Sequence, residues 1–311
     1  MPSPSVSVVI PAYNAERTIG RALESVFRQN QRSLEIVVVD DASRDRTAAV
    51  VQAFQRPEIR LVSLPRNLGE CGAMNHAIAL ARGDLIAFLD ADDEWLDGKL
   101  DKQLARMAAN PRLSFVTCGC LFVDADGGRP RPFGLRPPVE RADQVWRGLL
   151  AAPHVAKPCV VARSAALAAA GPFDSSLPVG GDQDMWIRLA LLGEVEFVPE
   201  FLVKAYDTPN SLTKRYARRA AEIVLPMVRR HVLAQRGRLT EREVRLIWGS
   251  RYTWIGRSLY LTGDVLAGSR YIGRAIAMGD HVPENLWYLV TAAPPARWLK
   301  QRVVRGSLGH A

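Results

Sequence analysis

The chain has 311 residues, 48% of them hydrophobic and 23% charged, which excludes a disordered, collagenous or coiled-coil protein and supplies enough apolar mass for one large domain or a domain with an appendage. No run approaches the ~20 apolar residues of a membrane span, and Met1 to Ser5 lacks the basic start and apolar stretch of a signal peptide, so a cytoplasmic location is expected. The net charge of +9 is uneven: from Lys214 onward there are 18 Lys and Arg against 6 Asp and Glu, and the preceding part is slightly acidic. A basic tail suits nucleic acid, an anionic membrane surface or an acidic substrate, but 7% aromatics and the lack of a recognition motif exclude nucleic acid as the expected partner. Four cysteines, Cys71, Cys118, Cys120 and Cys159, are too few for a disulfide framework and lack zinc-ligand spacing. Reduced, buried thiols are expected.

Val6 to Ile10 is a short apolar run closed by Pro11, and from Thr18 to Gln29 apolar residues at Ile19, Leu23, Val26 and Phe27 follow the spacing of one helix face. Leu34 to Val39 is a second, β-branched run. Ser43 is placed to cap a helix from about Arg44 to Gln55. Ile59 to Leu64 reads as a third strand, Gly72 to Ala81 as a third helix and Asp84 to Leu89 as a fourth strand entered through Gly83. Strands that alternate with helices and carry continuous apolar runs indicate a parallel sheet covered on both faces.

A helix near Leu96–Ala109 follows, then strands at Leu113–Cys118 and Cys120–Val123, a turn at Asp124 to Gly128 and a Pro-rich loop from Pro130 to Pro138. Residues 156–162 and 195–206 read as strands, with a helix Asp184–Leu192 between them. Beyond Thr213 the pattern is helical and rich in Arg, Ala and Leu, which sets the expected division into residues 1–213 and 214–311.

In parallel α/β sheets ligands bind outside the carboxyl ends of the strands. Pro11-Ala12-Tyr13-Asn14 follows the first strand, Asp40-Asp41 the second, Arg66-Asn67 the third and Asp90-Ala91-Asp92-Asp93 the fourth, all on one edge. An aromatic face, carboxylates that accept N–H or O–H bonds, a cation and a pair of hard oxygen ligands suit a nucleoside diphosphate with Mg²⁺ or Mn²⁺. A G-x-G-x-x-G turn is absent after the first strand, so a dinucleotide fingerprint is missing. The D-x-D pattern alone is weak, since Asp124-x-Asp126 and Asp182-x-Asp184 repeat it. Asp90-x-Asp92 stands apart because it ends a buried strand, where carboxylates without a cation are costly. Asp124 and Asp126 precede two glycines and read as turn residues.

These segments, Val6 to Asn14, Val37 to Asp45, Arg66 to Gly69, Phe88 to Asp93 and Gly180-Gly-Asp-Gln-Asp-Met-Trp-Ile-Arg188, together resemble the family 2 glycosyltransferases of GT-A fold over about residues 5–213. The resemblance implies a Rossmann-like, mostly parallel sheet with flanking helices, followed here by a helical region, and inverting sugar transfer from a nucleotide-diphosphate donor, with a UDP-sugar expected. It implies Tyr13 along the nucleobase, Asp40 accepting from its N–H, Asp90 at the ribose and metal, Asp92 as principal metal ligand and Asp182 as the base on the acceptor hydroxyl. Asp184 is the alternative base, or else a residue that solvates its own helix. Two departures from the family pattern stand out. Gly181 replaces the acid that usually precedes the base, and Tyr206 to Ser211 lacks the usual Arg and His.

The simpler readings are a Tyr13 packed under a loop, an Arg66 paired on the surface, Asp41, Ser43 and Asp45 as turn and cap residues, a structural His76, and Trp95 and Trp186 either in the core or against a sugar. Lys157 and His154 carry no assignment. The acceptor is expected to be a glycan or a lipid-linked sugar. A polyprenyl phosphate, already ionised and needing no base, is the alternative acceptor, and a catalytically silent nucleotide-sugar-binding protein is the alternative from another class. Near the end, Trp298, Leu299 and Val303 are flanked by Arg297, Lys300, Arg302 and Arg305. Such a stripe either packs onto the catalytic domain or lies in the headgroup region of an anionic membrane.

Overall fold

The computed structural model describes residues 5–30, 34–124, 130–135, 137, 141–207, 216 and 219–290. The chain opens with β1 (Val6–Ala12), α1 (Ile19–Phe27), β2 (Leu34–Asp40), α2 (Thr47–Ala53), β3 (Ile59–Ser63), α3 (Gly69–Leu80) and β4 (Leu85–Phe88). Strands β3, β2, β1 and β4 lie side by side in that order, all parallel. Val8, Val9, Ile10, Ile36 to Val39 and Leu85 to Leu89 are buried, as strands covered on both faces require. Because the four strands are parallel, their carboxyl ends lie on one edge.

The rest of the sheet is mixed. After β5 (Glu94–Trp95) and α4 (Lys99–Ala109) come β6 (Leu113–Asp124), β7 (Arg131–Phe133), α5 (Val145–Ala151), a 3₁₀ turn Lys157–Cys159, β8 (Val161–Arg163), α6 (Ser164–Ala170), α7 (Gly181–Leu192) and β9 (Glu194–Asp207). The order continues β4-β8-β6-β9-β5, with β8 antiparallel to β4 and β6, β6 parallel to β9, and β5 antiparallel to β9.

Several expected bounds shift for local reasons. The two strands expected around Gly119 are one, β6, whose register against β9 slips at Cys118, Gly119 and Cys120. A side chain at Gly119 would meet Phe201 and Leu135. The strand expected over 156–162 begins only at Val161, because Lys157, Pro158 and Cys159 form the 3₁₀ turn. Helix α2 begins at Thr47 instead of Arg44, and its first turn is held by Asp45, which accepts from the Thr47 N–H at 3.0 Å. Ser43 does not cap that helix. Its hydroxyl accepts from the Asn14 N–H at 2.9 Å and so joins two loops.

Two compact units result, one holding residues 1–146 and 154–208 and the other residues 147–153 and 209–311. In the second, α8 (Ala220–Ala234), α9 (Glu241–Leu261), α10 (Val265–Ala277) and α11 (Val282–Val290) follow in order. Thr240 opens α9 with a capping box to Glu243. The fully buried Arg251 donates to the Leu149 and Leu150 carbonyls at 2.6 Å each and closes the open end of α5. Among the described residues no helix is long and apolar enough to cross a membrane. The boundary at Thr213, Lys214, Asp126 and the basic segment 295–305 lie outside the described residues.

Candidate active site

The loops after β1 and β2 are bound to each other before they bind anything else. Asn14 and Ala42 take positive φ values of 51° and 59°, which turns both chains at the sheet edge. Asn14 accepts from the Arg44 N–H at 2.8 Å, and the Asp41 N–H reaches the Ala12 carbonyl at 2.8 Å. Pro11 and Ala12 thus end β1 in a fixed frame, with Tyr13 beyond them 48% exposed and offering a free aromatic face. Asp40 is buried at the end of β2 and accepts from the Ser43 N–H at 3.1 Å.

The loop after β3 is pinned by its own side chains. Asn67 donates to the Asp41 carbonyl and accepts from the Gly69 N–H, both at 3.1 Å, and Asp41 accepts from the Leu68 N–H at 2.7 Å. These two residues hold the loop, as turn and cap residues do. Burial raises the Asp41 carboxyl although the Leu68 and Gly69 N–H groups pull it down. Arg66 is exposed and makes no ion pair with a described residue.

Beyond β4 the acids crowd together. Asp90 pairs with the Lys157 ammonium at 2.5 Å, and Lys157 also pairs with Glu70 in the first turn of α3. Burial pushes Asp90 up to about 7 against the attraction of Lys157, with Glu70 and Asp92 adding to the rise. Burial likewise raises Asp92, while the ammonium of Lys157 is held well above its usual range by Asp90 and Glu70 despite its burial. Asp93 accepts from the Tyr206 N–H at 3.0 Å, and burial together with the charges of Asp90 and Asp92 raises its carboxyl well above the usual range. Arg21 donates to the Asp92 carbonyl at 2.5 Å and covers the Tyr206 ring at 3.7 Å.

Asp182 lies inside the first turn of α7, not ahead of the helix as the sequence suggests, because Gly180 takes φ 82° and starts the helix at Gly181. Its carboxylate accepts from the Gln183 N–H at 2.8 Å. Burial and the charge of Glu70 push it up to about 6, with Lys157 acting in the opposite direction. Glu70 and Lys157 therefore act electrostatically on Asp90, Asp92 and Asp182 alike. Asp184 faces the other way and pairs with Arg188 at 2.9 Å, one turn along the helix.

Residues 7–159 match Glycosyl transferase family 2. The chain belongs to that family. Over 111 residues it is 40% identical to the UDP-Glc:alpha-D-GlcNAc-diphosphoundecaprenol beta-1,3-glucosyltransferase WfgD of Escherichia coli, a match covering 36% of this chain and 44% of that protein. The chain spans about a third to under a half of the length of the first curated relatives it matches. The fold of the mannosyltransferase PcManGT from Pyrobaculum calidifontis, solved with GDP-Man and Mn²⁺, superposes with a TM-score of 0.61 at 18% identity, covering 98% of this chain and 85% of that one. That of S. aureus TarS with UDP gives 0.56 at 18% identity over 88% of each chain. The mixed, Rossmann-like GT-A sheet is thus the architecture of the first unit.

PcManGT was solved with Mn²⁺, and the residues here can be tested against such an ion. No group of three or more His, Cys, Asp or Glu side chains forms a metal cage among the described residues. Mg²⁺ and Mn²⁺ bridging to a substrate need no such cage, since one or two carboxylates and phosphate oxygens suffice. Asp92, raised by burial and without an ion pair among the described residues, and Asp90 are the carboxylates that fit.

Trp95 and Trp186 belong to the core. Trp186 packs among Phe88, Phe115 and Phe173, and the Trp95 indole donates to the Pro158 carbonyl at 2.9 Å. His76 is exposed on α3. Glu70 and Lys157 are the residues sequence reasoning missed. Neither sits in a motif, and the only hint is that Lys157 precedes a buried run that pairs beside β4.

Proposed function

We propose that this family 2 protein is an inverting glycosyltransferase that moves a sugar from a nucleotide-diphosphate donor, a UDP-sugar first among them, to a hydroxyl of a glycan or lipid-linked acceptor. The observation that carries the reading is the meeting of Asp40, Asp90 and Asp92 at one sheet edge with a raised carboxyl at Asp182 on a separate helix. Tyr13 offers its ring to the base, Asp40 accepts from the base N–H, and Asp90 takes the ribose. Pro11 and Ala12 shape the backbone beneath, and Arg66 offers a cation with no ion pair to a described residue.

Inversion requires the acceptor oxygen to attack the anomeric carbon opposite the departing diphosphate. Asp92 and Asp90 would hold a Mg²⁺ or Mn²⁺ ion, which when bound would supply positive charge to the leaving diphosphate. Asp182 removes the acceptor proton. A carboxylate raised to about 6 is still ionised at neutral pH and holds a proton better than an ordinary aspartate. Asp184 is engaged by Arg188 and leaves the role to Asp182.

The lipid-linked acceptor draws support from the name of the E. coli relative, whose acceptor is a diphosphoundecaprenol sugar. The basic surplus after residue 213 and the stripe from Trp298 to Val303 support peripheral contact with an anionic membrane, each cation near the surface adding about 1 kcal/mol. Vesicle co-sedimentation of the full chain and of a chain ending at Pro294 tests it, and equal recovery in the supernatant at low salt refutes it. For the activity, nucleotide release is measured across UDP-, GDP- and dTDP-sugars with Mn²⁺ or Mg²⁺. Release from a single donor class, increased by an acceptor, is expected. No release from any donor would overturn the assignment.

A further inference from the structure

The ammonium of Lys157 stands at the carboxyl edge of β4, between the Asp90 carboxylate and the Glu70 carboxylate of α3. Its side chain is 6% exposed, whereas those of Glu70 and Asp90 are 39% and 25% exposed. The stem of the cation is buried, and its two counter-ions are the more exposed members of the group. An ammonium carries three donors, and two carboxylates occupy two of them. The third has no partner among the described residues.

The surroundings make this cation necessary for an anionic ligand. Glu70 acts electrostatically on Asp90, Asp92 and Asp182, and Asp92 on Asp90, so a diphosphate arriving among these carboxyl groups would meet mostly negative charge. A flexible ammonium with rotatable donors suits phosphate oxygens, and a diphosphate carries more charge than the single carboxylate of Glu70. Glu70, being well exposed, can turn to water when the exchange occurs.

We propose that Lys157 is a second cation for the donor's diphosphate, supplied by the protein itself, with Glu70 as its resting counter-ion. The inference rests on the donor-pocket reading above. It assigns to Lys157 a hold on the phosphates that does not require the divalent ion, and to Glu70 the part of a competitor that the donor displaces.

Inorganic pyrophosphate is the probe, because its binding does not depend on which nucleobase or sugar the enzyme uses. It is titrated calorimetrically into the full chain in EDTA. The wild type is expected to bind. Lys157→Met should weaken binding at least about tenfold and Lys157→Arg should retain most of it, since charge is kept. Glu70→Gln, an exposed and nearly isosteric change that tolerates a folding defect in the lysine variant, should tighten binding severalfold. No binding by the wild type in EDTA, unchanged affinity in a folded Lys157→Met protein, or unchanged or weaker affinity in Glu70→Gln would each overturn the inference. Nucleotide release by the wild type separates the two readings. Release together with Lys157-independent pyrophosphate binding removes only this inference, and Lys157-dependent binding with no release from any donor removes only the transferase.

Discussion

The sulfur of Cys71 fills the space into which a side chain at residue 181 would grow. A Cβ built on Gly181 falls well inside van der Waals contact with Cys71 Sγ, which belongs to α3, while Gly181 opens α7. The helix that carries Asp182 is therefore seated against α3 by a glycine, and a side chain at residue 181 has no room beside the thiol. Cys71 is buried, its thiol pushed up to about 12 by that burial and by Glu70, so it acts here as a neutral packing group.

Gly181→Ala should consequently lower stability by about 1–3 kcal/mol, the usual cost of forcing extra volume into a packed site. Cys71→Ala in the same chain should recover most of the loss, because it removes the atom in the way. Urea denaturation of the two single variants and the double variant gives the coupling directly. Additive losses would show that some other contact governs this position.

Asp184 and Arg188 offer a contrast with the neighbouring acid. Arg188 also donates to the carbonyls of Ala170, Gly171 and Pro172 at 2.6, 3.2 and 3.0 Å, so the pair fastens α7 to the end of α6. Asp184→Asn keeps the shape but loses the charge, and a stability loss of about 1–3 kcal/mol is expected from the weakened hydrogen bonding. Turnover per folded molecule should change less than about threefold. Measuring the urea midpoint and kcat on the same preparation checks both.

The four parallel strands and their loops were legible because continuous apolar runs and turn residues are local signals, and the polar residues after each run fell on one edge. The antiparallel half was not. Strand β8 is three residues long, and its start depends on the turn at Lys157. Strand β6 runs unbroken through Gly119, where only its register against β9 slips and a side chain would meet Phe201. Within the site, motifs pointed to Asp90, Asp92 and Asp182 but not to the ion pairs that Lys157 makes with Asp90 and Glu70. Glu70 and Lys157 are 87 residues apart in sequence, and only the packed fold brings them together.

Asp92→Ala should abolish metal-dependent donor binding with little loss of fold, since Asp92 carries no ion pair to a described residue. The loss in affinity for the metal should be at least about 10–100-fold, the effect of removing even an outer partner of a ligand. Calorimetric titration of UDP with and without Mn²⁺ makes the comparison. A folded variant that still gains affinity from Mn²⁺ would place the metal elsewhere.

Asp182 governs the expected pH dependence. A general base works only when deprotonated, and burial together with Glu70 raises this carboxyl to about 6. With donor and metal saturating, the rate should therefore be low and rise with pH below about 6, changing roughly tenfold per unit well below it, and level off above. Asp182→Asn keeps donor binding, removes that limb and lowers turnover by about 10²–10⁴-fold. Glu70→Gln tests the electrostatic part of the account. Glu70 raises Asp182, so its neutralisation should move the acid limb toward lower pH, whereas a Glu70 with only a packing role would leave the limb in place. The profile of kcat against pH for wild type, Asp182→Asn and Glu70→Gln, measured with the true acceptor, distinguishes these outcomes. A limb at ordinary carboxylate pH in the wild type, or one that persists unchanged in Asp182→Asn, would show that a different group accepts the proton.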